Sequence, residues 1–337
     1  MSGKRLCLAF ASAMVLAGCA TQQQTMTMPM PMQSAGLSSA AYDEALHQLL
    51  TLVDTQNPRA ALDVLRQKSA TDSAFASSCH PLAHAVGREA FKKYKSFSTA
   101  MQYQDEVCNS GYEHGVIESD FLEATNITAK MQSVCAGTGS GGYQAWECFH
   151  GVGHGVMYYT ANDLPKALGL CDTYTSTFAR QSCMNGAFME NFNSDLAMHP
   201  TQYVKASDPF YPCPEEPDAD KTACYDYAPT YYLTLHPQQY QQALAWCTNA
   251  ESAHQADCIE GVGGQAMKDH ILEPQLVESV CASGASWETT ACIAGMADLL
   301  VNHYASPDKS QTVCDTLQTA HKKICTEVVT AERVMFH

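Results

Sequence analysis

Residues 307–331 carry the pattern that decides the fold: Pro307-Asp-Lys-Ser-Gln-Thr-Val-Cys314, then a connection, then Cys325-Thr-Glu-Val-Val-Thr-Ala331. Proline is favoured in the first turn of a helix because the N–H that it lacks would have no partner there. The pattern therefore predicts a short helix that begins at Pro307 and ends at Cys314. A second helix opens near Cys325, and a disulfide between the two cysteines would tie these helices together.

The same arrangement of cysteines recurs along the chain. Cys7 and Cys19 belong to the N-terminal segment, and the other 14 cysteines divide into seven pairs, six of which are 11 to 13 residues apart. No CxxC or CxxCH motif occurs, so structural disulfides are favoured over a zinc ribbon, a redox motif or a haem site. The expected pairs are Cys135–Cys148, Cys171–Cys183, Cys213–Cys224, Cys247–Cys258, Cys281–Cys292, Cys314–Cys325 and, less regularly spaced, Cys79–Cys108.

The spacing of the repeats predicts an all-α fold, an α-solenoid of stacked helical hairpins stapled by disulfides. The second cysteines of successive pairs lie 33 to 41 residues apart, a period typical of helical repeats. The architecture resembles the tetratricopeptide and Sel1-like class, whose consensus patterns this chain does not meet. A proline-rich stretch, residues 194–233, is expected to be an irregular insertion. Prolines are expected to begin several second helices: Pro58, Pro165, Pro237, Pro274 and Pro307.

The N-terminus predicts the compartment. Residues 1–18 combine a short basic start with an apolar run, which is typical of a signal peptide. The run ends in Leu16-Ala17-Gly18-Cys19, which resembles the lipobox of bacterial lipoproteins. This resemblance implies cleavage before Cys19 and lipidation of its thiol. Because Ala20 follows the cysteine, it also implies the periplasmic face of the outer membrane. Residues 19–38 would form a methionine-rich flexible tether, and residues 39–337 the helical body.

Composition excludes several classes of partner. The chain has 19 basic and 35 acidic side chains, a formal net charge of −16, so it lacks the basic surface that nucleic acid requires. With 46% apolar and only 16% charged residues, it is suited to bury a core rather than to remain disordered. The expected partners are the membrane, through the N-terminal lipid, and an envelope protein.

Candidate metal ligands occur in three consecutive repeats. Each repeat offers two ligands four residues apart, a spacing that puts both side chains on one face of a helix. Stacked hairpins would bring equivalent positions side by side, so the three pairs are expected to share one pocket. The predicted ligands are His80 and His84, His114 and Glu118, and His150 and His154.

The residue types indicate a transition metal. Imidazoles suit copper, zinc, iron or nickel, whereas calcium and magnesium prefer oxygen. Thioethers favour copper, and methionine stands at every second position of the tether from Met26 to Met32. Copper is therefore favoured, with zinc or iron as alternatives, and the sequence leaves open whether the site is catalytic. Residues expected to support the ligands are Glu113, Glu147, Met189 and Glu190.

A second interpretation remains open at this stage. Helical repeats often bind a peptide or a protein on their concave surface, and the histidines would then be structural. Several glycines stand within the predicted helices, among them Gly111, Gly115 and Gly153. Each costs about 1 kcal/mol of helix propensity relative to alanine. This indicates that the helices approach one another closely or that a ligand must approach their backbone.

Overall fold

The protein belongs to the all-α class over the residues that the structure describes, as the sequence predicts. The computed structural model describes residues 36–139, 141–193 and 200–336. These residues contain no β-strand. The α-helices are α1 (Ser39–Thr55), α2 (Pro58–Ser69), α3 (Ser73–Ser77), α4 (Cys79–Tyr94), α5 (Phe97–Ala100), α6 (Gly111–Leu122), α7 (Ile127–Val134), α8 (Tyr143–Tyr159), α9 (Leu164–Cys171), α10 (Thr177–Asn193), α11 (Asp218–Leu235), α12 (Tyr240–Cys247), α13 (Gln255–Asp269), α14 (Pro274–Cys281), α15 (Ser286–Tyr304), α16 (Pro307–Cys314) and α17 (Thr319–Glu332). Short 3₁₀ helices are Met101–Tyr103, Cys213–Glu215 and Arg333–Phe336.

The predicted signal peptide, the predicted lipidation site at Cys19 and most of the predicted tether lie outside the described residues. The first described helix begins at Ser39, and its N-terminus is capped by Ser38, whose hydroxyl accepts a hydrogen bond from the N–H of Ala41 at 3.3 Å. Among the described helices, none combines the length and the apolar character needed to cross a bilayer.

Long and short helices alternate through most of the body. Each long helix packs against the next one in the chain, from α4 through α6, α8, α10, α11, α13 and α15 to α17. The short helices α9, α12, α14 and α16 lie in the connections, and each ends at the first cysteine of a pair. Buried apolar side chains form one cluster mainly between α1 and α6 and a larger cluster between α6 and α17.

Seven disulfides staple these helices, one for each expected pair. The second cysteine does not begin its helix as the pattern suggested. In α8, α10, α11, α13, α15 and α17 it lies three to six residues after the first helical residue. In α15 the cause is visible, because the Glu288 carboxylate accepts a hydrogen bond from the N–H of Ala285 at 2.8 Å and fixes an earlier helix start.

Helix α12 differs from its prediction at its N-terminus. It begins at Tyr240 rather than at Pro237. Gln238 adopts a left-handed conformation with φ of 60°, which is incompatible with a continuous right-handed helix through this point. The chain therefore turns after Pro237, and the helix forms only after the turn. The other prolines expected to begin helices lie at the first or second helical position.

The stretch expected to be irregular, residues 194–233, is helical from Asp218 onward. Acidic side chains in the first turn of a helix are favourable because they face its positive end, and α11 has two of them, Asp218 and Asp220. The helix continues through Pro229. This proline packs against Gly261 of α13, where an added Cβ would lie 3.1 Å from its Cγ atom.

Glycines allow the backbones of α8 and α10 to touch. An added Cβ at Gly153 would lie 2.1 Å from the carbonyl oxygen of Cys183, and one at Gly186 would lie 1.9 Å from that of His150. Both distances are far below van der Waals contact. The two glycines therefore form a reciprocal contact in which each accommodates the backbone of the opposite helix.

The same reciprocal contact joins α13 to α15 in the second half of the body. An added Cβ at Gly263 would lie 2.0 Å from the carbonyl oxygen of Cys292, and one at Gly295 would lie 1.9 Å from that of Glu260. Gly153 and Gly263 each stand five residues after the second cysteine of a pair. The two halves therefore use the same packing device at the same position in the repeat.

Hairpins distant in sequence also touch. The hydroxyl of Ser77, in α3, donates to Asp269 of α13 at 3.0 Å, across a separation of 192 residues. The hydroxyl of Tyr143 donates to the carbonyl of Asn302 at 2.9 Å, and the Tyr143 ring stacks on Phe336. An open solenoid makes contacts only between neighbouring repeats. The long helices from α4 to α15 instead surround one cavity, and the solenoid arrangement itself stays a prediction.

Candidate metal centre

The six predicted ligands lie on three adjacent helices and are all buried. His80 and His84 are one turn apart on α4, His114 and Glu118 on α6, and His150 and His154 on α8. None of these residues exposes more than 6% of its surface. Close approach of the backbones makes this possible, because Gly115 of α6 leaves space against the carbonyl oxygen of His84, 2.0 Å from an added Cβ.

Four of the imidazoles converge. The ring centroid of His84 lies 4.5 Å from that of His80, 5.3 Å from that of His114 and 4.9 Å from that of His154. Each of these four residues offers a ring nitrogen, and the four nitrogens lie within 4.8 Å of one another. This buried histidine cluster could hold a metal ion.

The hydrogen bonds of His80 and His84 fix their tautomers. His80 Nδ1 donates to the carbonyl oxygen of Cys108 at 2.7 Å, and His84 Nδ1 donates to the Glu118 carboxylate at 2.6 Å. Since neither acceptor has a proton to give, both Nδ1 atoms carry the hydrogen in the neutral rings. Each Nε2 atom therefore presents a lone pair, and the two Nε2 atoms lie only 2.9 Å apart.

Two facing lone pairs repel one another unless a cation lies between them. A proton does not suit this position, because burial, together with the nearby imidazoles, lowers the pKa of His80 well below its ordinary value. Burial also lowers the pKa of His84, although the charge of Glu118 opposes the shift. Two nitrogens bound about 2.0–2.1 Å from one ion would lie roughly 2.9–3.4 Å apart. The observed spacing therefore fits a metal ion.

His154 and His114 complete the cluster. His154 Nδ1 lies 2.8 Å from the Glu190 carboxylate, to which it donates, and its Nε2 has no hydrogen-bond partner. Neither ring nitrogen of His114 has one. A buried polar atom without a partner costs about 1–3 kcal/mol, and coordination to a metal would supply the missing interaction at both residues.

Glu118, predicted as a ligand, holds other side chains in position and also lies with His154 and Glu190 in a second buried group that could hold a metal ion. One carboxylate oxygen accepts from His84 and the other accepts from Arg88 at 2.7 Å. Burial alone would raise the pKa of Glu118, but the charges and hydrogen bonds of His84 and Arg88 lower it to about 2. An ionised carboxylate on the outer nitrogen of a metal-binding histidine fixes the ring and increases its basicity.

His150 lies at the edge of the cluster rather than among the four converging nitrogens. Its Nε2 is 3.3 Å from the Met189 sulfur, and its Nδ1 has no hydrogen-bond partner. Its ring centroid lies 5.4 Å from that of His114 and 4.9 Å from that of Trp146. The side chain also lines the cavity. His150 is therefore placed between the histidine cluster and the space beside it.

The predicted supporting residues have different surroundings. Glu190 accepts from His154, as described above. Glu147 places a carboxylate oxygen 3.3 Å from His114 Nε2, although neither of its oxygens makes a hydrogen bond. Glu113 lines a second cavity of about 300 Å³ with Glu147, and burial raises the pKa of Glu113 to about 7. Of these three carboxylates, Glu190 makes the hydrogen bond expected of an orienting partner.

Sequence reasoning missed two groups that fix the histidines. Arg88 holds Glu118 and also donates to the hydroxyl of Tyr158 at 3.1 Å. It stands four residues after His84 on the same helix, so the helical spacing could have revealed it. The other group is the Cys108 carbonyl, which the local backbone directs toward its histidine.

A strained segment presents that carbonyl. Cys108, Asn109 and Ser110 all adopt left-handed φ angles, between 52° and 58°. Each non-glycine residue in this region costs roughly 1–2 kcal/mol, and such strain persists where the surrounding structure fixes it, often at functional sites. The turn carries no distinctive sequence signal beyond its asparagine.

No protein-family model, curated protein or solved structure significantly matches this chain. The chemistry of the site therefore rests on its own residues. Four buried imidazoles, three of them with the outer nitrogen bonded to a carbonyl or a carboxylate, form a donor set that suits copper, zinc, iron or nickel. The set does not suit calcium or magnesium, which prefer oxygen ligands.

Proposed function

We propose that this protein binds a transition metal ion through His80, His84, His114 and His154, for metal handling or for metal-dependent redox chemistry in the bacterial envelope. One observation carries the proposal: the Nε2 lone pairs of His80 and His84 face one another at 2.9 Å inside a buried site. A metal ion between them would turn this repulsion into coordination. The unpaired nitrogens of His114 and His154 would supply the remaining ligands.

Within this proposal copper is the favoured ion. The Met189 sulfur lies beside His150 at the edge of the cluster, and the tether has methionine at every second position from Met26 to Met32. Thioether sulfur is a soft ligand that prefers Cu(I) to zinc or to iron(II). The tether would collect the ion outside the body, and the histidine cluster would hold it.

The alternative, a scaffold with structural histidines, has less support. Structural histidines would be expected to lie singly, each bonded to a backbone carbonyl. His80 makes such a bond, but His84 and His154 are bonded to carboxylates, and neither nitrogen of His114 has a hydrogen-bond partner. Four rings that share one buried space are also costly without a ligand, because burial disfavours protonation of His80, His84 and His154 and leaves lone pairs unpaired.

Metal analysis of the full-length protein purified from its native envelope tests the proposal. We expect about one equivalent of bound transition metal per chain, and His154→Ala should reduce it below about 0.2 equivalents because one of the few ligands of the ion is lost. His47→Ala is the matched control, since His47 is exposed on α1, outside the cluster. Wild-type protein with less than about 0.2 equivalents, unchanged by His154→Ala, would contradict the proposal.

The proposed location requires the N-terminal lipid. We propose that Cys19 is acylated and that the lipid anchors the protein at the periplasmic face of the outer membrane. Cells grown with a labelled palmitate analogue should incorporate the label into the wild-type protein and not into Cys19→Ala. The substituted protein should also leave the membrane fraction. Incorporation of label into Cys19→Ala would place the lipid elsewhere, and no incorporation into either protein would remove the anchor.

A further inference from the structure

The cavity beside the histidine cluster has walls of two kinds. One wall contains His80, His114 and His150. The opposite wall comes from α11, α13 and α15. The cavity has a volume of about 110 Å³. Because one water needs roughly 10–15 Å³ of such space, the cavity could hold a molecule of about seven to eleven non-hydrogen atoms.

The opposite wall is acidic. Asp226 of α11, Glu260 of α13 and Asp298 of α15 all line the cavity, and Lys268 is the only lysine or arginine among the lining residues. Burial raises the pKa of Glu260 and of Asp298 to about 7, and neighbouring carboxylates add to both shifts. Burial, with the charges of Asp298 and Glu260, raises the pKa of Asp226 well above its ordinary value. The three carboxyl groups are therefore close enough to repel one another when ionised.

Repeat geometry explains why these carboxyl groups face the histidines. Asp226 and Glu260 stand two residues after the second cysteine of their pairs, as His150 does. Asp298 stands six residues after its cysteine, as His114 and His154 do. The inward positions of the repeat therefore carry histidines in the first half of the body and carboxylates in the second half.

Glu147 provides an independent indication that the cavity has an occupant. Its side chain is only 3% exposed, it lines the cavity, and neither carboxylate oxygen has a hydrogen-bond partner. Glu147 Oε2 lies 3.3 Å from His114 Nε2. The neighbouring Tyr143 hydroxyl donates its only proton to the carbonyl of Asn302, so this buried carboxylate lacks a donor, which is unfavourable. A ligand that brings N–H groups into the cavity would satisfy it.

The acidic wall is too wide for one bare metal ion. In the described part of the chain, three or more histidine, cysteine or carboxylate ligand atoms come within 4.8 Å of one another at the histidine cluster and at Glu118, His154 and Glu190. Asp226, Glu260 and Asp298 do not form such a group. The spread of their charges instead matches a cation with several N–H donors and some length.

We propose that this cavity binds a small protonated amine, held by Asp226, Glu260 and Asp298, with Glu147 accepting from it near the histidine wall. Ammonium groups donate up to three hydrogen bonds, and their positive charge pairs with the negative charge of the carboxylates. The volume and the charge of the cavity both fit such a ligand. The amine site goes beyond metal binding and does not require a metal, so it can be tested on metal-free protein.

Calorimetry with putrescine, a linear diamine, tests the amine site directly. Full-length protein treated with a chelator is titrated at pH 8, above the pKa of about 7 of Glu260 and Asp298. We expect saturable binding of one putrescine per chain and none of butanediol, its uncharged analogue. Glu260→Gln and Asp298→Asn should each weaken binding about tenfold or more, since each removes one charge pair near the ligand.

Three controls make the outcome decisive. Glu327→Gln removes an exposed carboxylate of α17, 65% exposed, and should leave putrescine affinity unchanged. His154→Ala should also retain putrescine binding, which separates the amine site from the metal site. Circular dichroism establishes that each variant is folded. Equal binding of butanediol, equal affinity in all variants, or stronger binding of Mg²⁺ than of putrescine with the same dependence on Glu260 would overturn the proposal.

Discussion

The two walls of the cavity have the same backbone design and opposite chemistry. On one side α8 packs on α10 through the reciprocal contacts of Gly153 and Gly186, and on the other α13 packs on α15 through those of Gly263 and Gly295. Each half is stapled by disulfides of nearly the same span. The first half nevertheless presents three imidazoles and the Glu147 carboxylate to the cavity, whereas the second presents three carboxyl groups and, among its described residues, no imidazole.

This difference separates what holds the fold from what the site can do. The glycines and cysteines occupy positions that set the distance between helices, and they recur in both halves. The cavity-facing positions differ between the two halves, and they bear little on the distance between helices. A single packing scheme therefore supports a histidine cluster that could hold a metal ion on one wall and a group of carboxyl side chains on the other, as expected when chemistry is placed on a shared scaffold.

The largest expected effect tests the shared scaffold. Gly153→Ala and Gly263→Ala should each lower the free energy of unfolding by about 3 kcal/mol or more, because each new Cβ would overlap a carbonyl oxygen and force two helices apart. Urea unfolding measures the change. Gly169→Ala, in α9, is the control: no atom lies within 4 Å of its added Cβ, so it should raise stability slightly. A loss confined to one half would show that the two packing contacts are not equivalent.

The next effect is the stabilisation of the fold by bound metal, which should depend on the histidine wall and not on the acidic wall. Metal present at about 100 times its dissociation constant should stabilise the wild-type protein by about 2.7 kcal/mol, which corresponds to a rise of roughly 4 °C in Tm for a body of this size. Differential scanning calorimetry should find this rise abolished in His84→Ala and largely retained in Asp298→Asn. Equal loss in both variants would mean that the ion requires both walls, contrary to the proposed division.

A smaller effect concerns the carboxylate that orients His84. Glu118→Gln should weaken metal binding about 10–100-fold, because the amide no longer fixes the ring or increases its basicity. Competition with a chelator of known affinity measures this loss. Glu123→Gln, at the exposed end of α6, is the matched control and should have no such effect. An affinity change of less than about threefold in Glu118→Gln would mean that packing alone positions His84.

The smallest effect concerns the stability of metal-free protein, to which the two walls of the cavity contribute with opposite pH dependences. Folded Glu260 stays protonated up to about pH 7, whereas the unfolded residue ionises near 4.3, so its contribution to stability declines between these values. The buried histidines act in the other direction. Burial lowers the pKa of His80, His150 and His154, so their unfolded forms bind protons below about pH 6.5, and stability increases as the pH rises to that value.

Glu260→Gln should therefore gain stability relative to wild type as the pH rises from 5 to 8. We expect a gain on the order of 1 kcal/mol, since part of the side chain faces water in the cavity. Urea unfolding of chelator-treated protein at several pH values measures it. Glu327→Gln should run parallel to wild type over the same range. A Glu260→Gln curve that also runs parallel would mean that the acidic wall stays solvated.

Much of the local structure follows from residue spacing. Helices α9, α14 and α16 begin with proline at their first or second position and end at Cys171, Cys281 and Cys314, as the repeated pattern predicts. These boundaries depend on the immediate neighbours of each residue, which a sequence displays directly. The starts of the long helices were predicted less well, because caps such as the Glu288 carboxylate on Ala285 also determine them.

The sequence could identify the histidines of the site but not the hydrogen-bond partners that fix their rings. His80 and His84 share a helix face because they are four residues apart. Nothing local indicates that the Cys108 carbonyl would accept a hydrogen bond from one ring or that Glu118 would accept one from the other. These roles depend on which helix packs next to α4 and on how far that helix is shifted along the axis of α4.

By itself, the sequence determined the all-helical class, the seven cysteine pairs and the histidines that share a helix face, because spacing along a helix is a local property. Tertiary structure decided that four imidazoles from three helices meet in a buried site and that three carboxyl groups face them across a cavity. These outcomes require backbones in contact at glycines and hairpins joined across the chain, as Ser77 joins Asp269. Contacts between residues so far apart are fixed by packing in three dimensions.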